Sequence, residues 1–156
     1  MAHIHELIDL TVSVFVVHKN RVLLRLHEKY NVWTGAGGHV ELDEDANQAA
    51  IRETKEEVGL DVLLIHPDFV ALDPKNTNCK ELIPPMAMNI HKIYKGPHHH
   101  MDLVYVGVSD SDSVVLEQDT DKVRWFTKDE LLKFSEVNER QRHYALKALE
   151  IAGKID

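Results

Sequence analysis

The stretch that decides the fold lies at residues 38–60 and reads GHVELDEDANQAAIRETKEEVGL. Asp45, followed three residues later by Gln48, is typical of a capping box at the start of a helix. Gly59 is the residue type that most often ends a helix in the left-handed conformation. These signals predict a helix over residues 45–58.

Three glutamates, Glu53, Glu56 and Glu57, are spaced i, i+3 and i+4 on this helix. They therefore share one side, which we call the glutamate face. A solvated acidic surface is the ordinary explanation of such a pattern. However, like charges at this spacing repel by about 0.2–0.5 kcal/mol per pair, and the C-terminal end of a helix disfavours carboxylates. A bound Mg²⁺ or Mn²⁺ would offset both costs, since hard cations prefer oxygen ligands.

The segment resembles the Nudix box, which is a glycine, five residues, a glutamate, seven residues and then Arg-Glu-aliphatic-x-Glu-Glu-x-Gly-aliphatic. All seven fixed residues are present at the right spacing, a match expected by chance on the order of one in a million. Thr54 stands where an aliphatic residue is usual. The lead-in from Trp33 to Gly38 has Ala36 where the family has proline. Residues 98–105 and 123–131 resemble later segments of the family.

The resemblance implies a role for each residue of the box. A divalent metal, Mg²⁺ or Mn²⁺, would be held by carboxylates and a backbone carbonyl, namely Glu53, Glu56 and Glu57 with Gly37 or Gly38. Glu53 would be the general base, although related enzymes sometimes use a carboxylate outside the box. Glu117, Asp119 and Asp121 form a second acidic group that either supplies such a carboxylate or is a solvated loop. Arg52 would orient a glutamate, its alternative being an ordinary ion pair on a helix.

The family cleaves a nucleoside diphosphate linked to another group, so the resemblance implies a diphosphate-cleaving enzyme. We expect a small nucleotide substrate, such as a nucleoside triphosphate. Among the aromatic residues, Trp33 is the best candidate for stacking on a base because it lies on a loop next to the box. Trp125 lies in a short apolar strand and is expected in the core.

The run His98-His99-His100 suggests a zinc site. Adjacent residues of a regular strand point to opposite faces, so all three side chains cannot converge on one metal. His100 and Asp102 share a face and are expected to line the substrate pocket or surround the metal. A solvated turn with incidental histidines is the alternative.

Hydrophobic patterning predicts further elements around the central helix. Strands are expected over residues 9–17, 21–27, 39–41, 61–72, 86–94, 100–108 and 122–126, with a loop over 30–38. Further helices are expected over residues 127–134 and 138–152. Strand pairs and helices that do not alternate regularly favour an α/β (α+β) class with a mixed sheet sandwiched between helices, which is the Nudix fold. The length predicts a single domain over residues 1–156.

The amino-acid composition restricts the classes of partner that we expect. The net charge of −8 and the absence of a Lys/Arg block argue against nucleic acid polymers. No apolar stretch is long enough for a membrane helix. One cysteine, Cys79, precludes an intramolecular disulfide and favours a reducing, cytoplasmic location. A homodimer is compatible with the resemblance, since dimers are common in the family.

Two alternative hypotheses for the function remain open. A catalytically silent Nudix-fold module that binds nucleotides would be expected to have an eroded box, whereas this box is intact. An isoprenoid diphosphate isomerase shares the fold but needs a cysteine near the active site, and the context of Cys79 does not resemble one.

Overall fold

The computed structural model describes residues 6–71, 75, 78–93 and 96–155. Its strands are β1 (Ile8–His18), β2 (Arg21–His27), β3 (Val32–Thr34), β4 (Ala36–His39), β5 (Leu63–Ile65), β6 (Ala87–Lys92), β7 (His99–Val108) and β8 (Lys122–Thr127). Its helices are α1 (Ala46–Val58), α2 (Lys128–Lys133) and α3 (Glu139–Ile155). None of the helices in these ranges is long and apolar enough to cross a membrane.

Strand β1 is the centre of a mixed sheet. It pairs antiparallel with β2 and β4, and parallel with β7 along ten residue pairs. The order β3-β2-β1-β7-β5 runs across the sheet, β4 also pairs with β1, β6 with β7, and β8 with β2. The parallel pair aligns Asp9 with His100, so residues some 90 positions apart become neighbours.

Helices cover both faces of the sheet. One core contains Ala49, Ala50 and Val58 of α1. The other contains Leu131 of α2 and Tyr144 of α3, with other residues of both helices packed around them. The predicted fold class, a mixed sheet between helices, is therefore confirmed.

The predicted central helix is confirmed in detail. The Asp45 side chain accepts a hydrogen bond from the Gln48 backbone N–H, and the Gln48 side-chain oxygen accepts one from the Asp45 N–H, which completes the capping box. Gly59 ends α1 with a φ of 72°. Thr54 is buried and its hydroxyl donates to the Ala50 carbonyl at 2.8 Å, so the unusual residue is accommodated in the core.

The predicted loop over residues 30–38 is wrong, because it contains β3 and most of β4. Strand β4 lies very close to β1: a Cβ on Gly35 or Gly37 would overlap a carbonyl oxygen of that strand. Such close approach requires glycine, a residue that sequence patterning associates with loops. The strand expected over 61–72 is limited to β5, and the expected ends at residues 72 and 94 lie outside the described residues.

The structure buries Trp33, which was expected to stack on a substrate, and packs Trp125 against the edge of a core cluster. Trp33 is only 7% exposed and packs edge-on against Phe126 and Phe134 in the core. The expectation that Trp33 stacks on a substrate is therefore corrected, because its ring faces are covered by protein. Trp125 is half-buried, with the Arg21 guanidinium 5.7 Å from its ring centre.

Candidate functional site

Glu57 is the most firmly held carboxylate of the glutamate face. It accepts hydrogen bonds from Arg25 Nη2 and from the Gly37 backbone N–H, both at 2.9 Å. Burial raises the pKa of Glu57 to about 7 although these two donors oppose the shift. The carboxylate thus has a fixed orientation at a position where its negative charge is costly.

Arg52 connects the other carboxylates. Its guanidinium donates to Glu44 at 2.6 Å, to Glu53 at 3.0 Å and to Glu56 at 3.1 Å. It also donates to the backbone carbonyl of His39 at 3.0 Å. Hydrogen bonds from Arg52 lower the pKa of Glu44. Arg52 is therefore placed to orient Glu53 and Glu56, which is the role that the resemblance implies for it.

Glu53 lies against the backbone of β4. Its residue is 9% exposed, and burial raises the pKa of its carboxyl. A Cβ on Gly38 would overlap the Glu53 carboxylate. The absence of a side chain at Gly38 thus lets the Glu53 carboxylate approach the backbone of β4.

The donor set of the glutamate face fits a hard divalent cation. It consists of carboxylate oxygens, and burial disfavours the negative charge of Glu53 and Glu57, a penalty that a cation would relieve. Arg25 and Arg52 balance part of that charge. Among the described residues, the one group of three or more potential ligands whose atoms lie within 4.8 Å of one another is elsewhere, at Asp9, His98 and His100.

A cleft with a volume of about 490 Å³ opens beside β4. Arg25, Gly37 and Gly38, which contact the glutamates, are part of its wall. Its charged lining contains four Lys or Arg residues and one carboxylate, namely Arg25, Lys29, Lys92, Arg140 and Asp102. The cleft is thus locally basic in a protein whose net charge is −8.

His100 and Asp102 both line this cleft, as their shared strand face predicts. Asp102 is 8% exposed and accepts hydrogen bonds from the hydroxyls of Thr11 at 2.9 Å and Ser13 at 2.8 Å. Burial raises the pKa of Asp102, and burial together with the nearby His39 lowers the pKa of His100 to about 4. Burial thus disfavours the charged form of both side chains.

Several residues of the site have no signal in the sequence pattern. From the sequence, Arg25, which contacts Glu57, is indistinguishable from any other polar residue of a strand. Asp121 belongs to the acidic loop expected to be either solvated or catalytic; its side chain is 10% exposed and lies 3.6 Å from Arg25 Nη1. Glu117 and Asp119 are exposed. Asp121 is therefore the member of that loop that reaches the site.

Comparison with known proteins places this geometry in a family. A model described as NUDIX domain matches residues 8–147. The structure of a NUDIX-family hydrolase from Clostridium perfringens is 33% identical, with a TM-score of 0.80, and the match covers 92% of this chain and 97% of that chain. Among curated proteins, none matches the chain.

Two more distant structures share the fold. A MutT NUDIX hydrolase from Burkholderia pseudomallei is 20% identical, with a TM-score of 0.63 and coverage of 94% of this chain and 98% of that one. An Ap4A hydrolase from C. elegans, in a binary complex, is 18% identical, with a TM-score of 0.63 and coverage of 94% and 96%. With the family model matching most of its length, the chain belongs to the Nudix hydrolase family.

Proposed function

We propose that this protein is a divalent-metal-dependent pyrophosphohydrolase that cleaves a diphosphate linkage in a small nucleotide, such as a nucleoside triphosphate. The observation that carries the proposal is the contact between the cleft and the buried carboxylates. Arg25 and Gly37 hold Glu57, and Gly38 adjoins Glu53, while all three of these wall residues line the cleft. A substrate in the cleft would therefore lie next to the glutamate face.

The charge of the cleft supports an anionic substrate. Four cationic side chains against one carboxylate attract polyphosphate, and a basic cleft in an acidic protein focuses small anions better than long polymers. The volume of about 490 Å³ is typical of small-molecule sites. Both features fit a mononucleotide.

Two further residues of the cleft fit a nucleobase. Tyr30 lines the cleft with its ring 4.7 Å from that of His27, so an aromatic surface is present there although Trp33 does not supply it. Gln141 is 8% exposed, and its Oε1 has no hydrogen-bond partner in the part of the chain that the structure describes. Buried polar atoms normally have a partner, and a rotation of the Gln141 side chain toward the cleft would let this oxygen accept a hydrogen bond from an exocyclic amino group.

Each side chain of the site has its own role in the proposed hydrolysis. Glu53 accepts a proton as water attacks phosphorus; one P–O bond forms and the bridging P–O bond breaks. Arg52 holds Glu53 in place, and Arg25 holds Glu57. A cation held by Glu53, Glu56 and Glu57 would neutralise phosphate oxygens and favour charge on the leaving group. Most of the catalysis is positioning and electrostatic stabilisation.

Two expectations from the sequence belong to the same proposal. We place the protein in the cytoplasm, as its single cysteine suggests, and we keep the homodimer as a prediction.

The test is a panel of nucleoside triphosphates, nucleotide sugars, ADP-ribose and dinucleoside polyphosphates, each with Mg²⁺ and with Mn²⁺. Glu57→Gln removes a carboxylate of the glutamate face, and Glu150→Gln, at an exposed site on α3, is the matched control. We expect cleavage of one substrate class that requires metal, fails in Glu57→Gln and persists in Glu150→Gln. A folded protein that binds nucleotides yet cleaves none of them would instead be a silent binding module.

A further inference from the structure

A second group of potential metal ligands lies at the N-terminal ends of β1 and β7. Asp9 is 1% exposed, and its Oδ2 lies 2.8 Å from His98 Nε2 and 3.0 Å from His39 Nε2. His100 is the partner of Asp9 in the parallel pairing of β1 with β7. We call Asp9, His39, His98 and His100 the histidine cluster.

The imidazoles of the cluster are packed around His100. The ring centre of His100 lies 5.0 Å from that of His39 and 5.7 Å from that of His98. One ligand atom from each of Asp9, His98 and His100 lies within 4.8 Å of the others. His98 lies just before β7 and His100 lies within it, and both side chains approach Asp9.

We propose that Asp9, His98 and His100 form a binding site for a transition-metal cation of the Zn²⁺ type. Two imidazoles and one carboxylate, with a fourth position left open, are a donor set found in zinc sites that bind an exogenous ligand. Here the open position would face the cleft, because His39 and His100 both line it. The site is thus distinct from the glutamate face.

The donor atoms of the two sites favour different metals. The glutamate face offers oxygen alone, which suits Mg²⁺ or Mn²⁺, whereas imidazole nitrogen suits Zn²⁺ and similar ions. The sites share no side chain. They meet at His39, whose carbonyl accepts a hydrogen bond from Arg52 and whose ring contacts Asp9. A cation in the histidine cluster would therefore lie along the same cleft without occupying the glutamate face.

The Asp9–His98 pair would require a small adjustment to bind the cation. With Zn–N and Zn–O bonds of 2.0–2.1 Å in a tetrahedron, neighbouring ligand atoms lie about 3.3 Å apart. The Asp9 and His98 atoms are 2.8 Å apart, a hydrogen-bond distance. Replacement of the shared proton by the cation would move these two side chains apart by a few tenths of an ångström. Without metal, the same contacts satisfy the buried Asp9 carboxylate.

Titration of the chelator-treated full-length protein with Co²⁺ and then Zn²⁺, in excess Mg²⁺, tests the site. Excess Mg²⁺ competes for the glutamate face. We expect one equivalent of Co²⁺ to give the intense visible absorption of a tetrahedral ion, and Zn²⁺ to displace it. His98→Gln should weaken Zn²⁺ binding about tenfold or more, and His143→Gln, an exposed histidine of α3, should not change it.

A folded protein that gives no tetrahedral Co²⁺ spectrum overturns the proposal, as does a His98→Gln variant that binds Zn²⁺ like the wild type. X-ray absorption of the Zn²⁺-loaded wild type covers the case in which the variant does not fold. It should show at least two imidazole ligands, and a zinc environment without imidazole would contradict the site. Since these readouts are metal binding and not turnover, their failure leaves the proposed hydrolysis intact.

Discussion

The glutamate face and the histidine cluster meet at Gly38 and His39 but are built in opposite ways. The glutamates come from one helix, and Arg25 and Arg52 balance their charge. The histidine cluster comes from three strands, and its one carboxylate, Asp9, is surrounded by imidazoles. Local spacing therefore groups carboxylate oxygens on one face of a helix, whereas strand pairing brings nitrogen and oxygen donors together beside the cleft.

The largest effect should come from removing the proposed base. Glu53→Gln keeps the shape of the side chain and its contact with Gly38, but it removes the group that accepts the proton. We expect kcat to fall about a hundredfold or more, measured by phosphate or pyrophosphate release at saturating Mg²⁺. Near wild-type kcat would assign the base elsewhere, with Asp121 the next candidate to substitute.

Two neighbouring glycines should separate stability from activity. A Cβ on Gly37 would overlap the Val12 carbonyl, a backbone atom that cannot move alone, so Gly37→Ala should cost about 1–3 kcal/mol of unfolding free energy. The three atoms nearest to a Cβ on Gly38 all belong to the Glu53 carboxylate, a side-chain group and not backbone. Gly38→Ala should therefore lose activity with a smaller loss of stability. Urea denaturation gives the loss of stability of each variant, and kcat gives its loss of activity. Equal losses of stability in Gly37→Ala and Gly38→Ala would refute the prediction.

Asp102, which lines the cleft beside His100 of the histidine cluster, tests whether that side of the cleft is independent of the glutamate face. Asp102→Asn replaces an oxygen that accepts a hydroxyl hydrogen bond by an NH₂ group, which should cost about 1 kcal/mol of stability. The Mg²⁺ concentration that half-saturates hydrolysis should stay unchanged, because the hydrogen bonds of Asp102 are to Thr11 and Ser13 and not to a glutamate of α1. A shift in that concentration would show that the two regions are coupled.

The smallest effect should be a pH dependence of Mg²⁺ binding. The pKa of Glu57 is raised to about 7 in the metal-free protein, so below that pH the carboxyl is mostly protonated and must lose its proton before it binds a cation. Apparent Mg²⁺ affinity should rise with pH up to about 7 and then level off. Calorimetry in buffers of different ionisation enthalpy should detect the released proton, and binding without proton release would count against Glu57 as a ligand.

The comparison also explains which features could be predicted from the sequence. The capping box, the Gly59 stop and the glutamate face depend on spacings of three and four residues, which helical periodicity fixes. The resemblance then supplied the fold and the family. The pairing of Asp9 with His100 depends on strand register across some 90 residues, which no local pattern encodes.

Burial accounts for the remaining differences. Trp33 precedes a glycine-rich stretch that is typical of a loop, and only the tertiary packing shows that Phe134 contacts its ring. Arg25 is a site residue because its guanidinium reaches Glu57 of α1, a tertiary contact between residues 32 positions apart. A single Arg in a strand carries no sign of this.

The most direct test of the account is the Mg²⁺ dependence of hydrolysis in Glu56→Gln. The Glu56 side chain is 52% exposed, so its substitution should leave the fold intact while it removes one ligand of the glutamate face. With Glu150→Gln as control, the account predicts that the half-saturating Mg²⁺ concentration rises about tenfold or more in Glu56→Gln alone. An unchanged Mg²⁺ dependence, or turnover that needs no metal, would contradict the claim that these glutamates hold the catalytic cation.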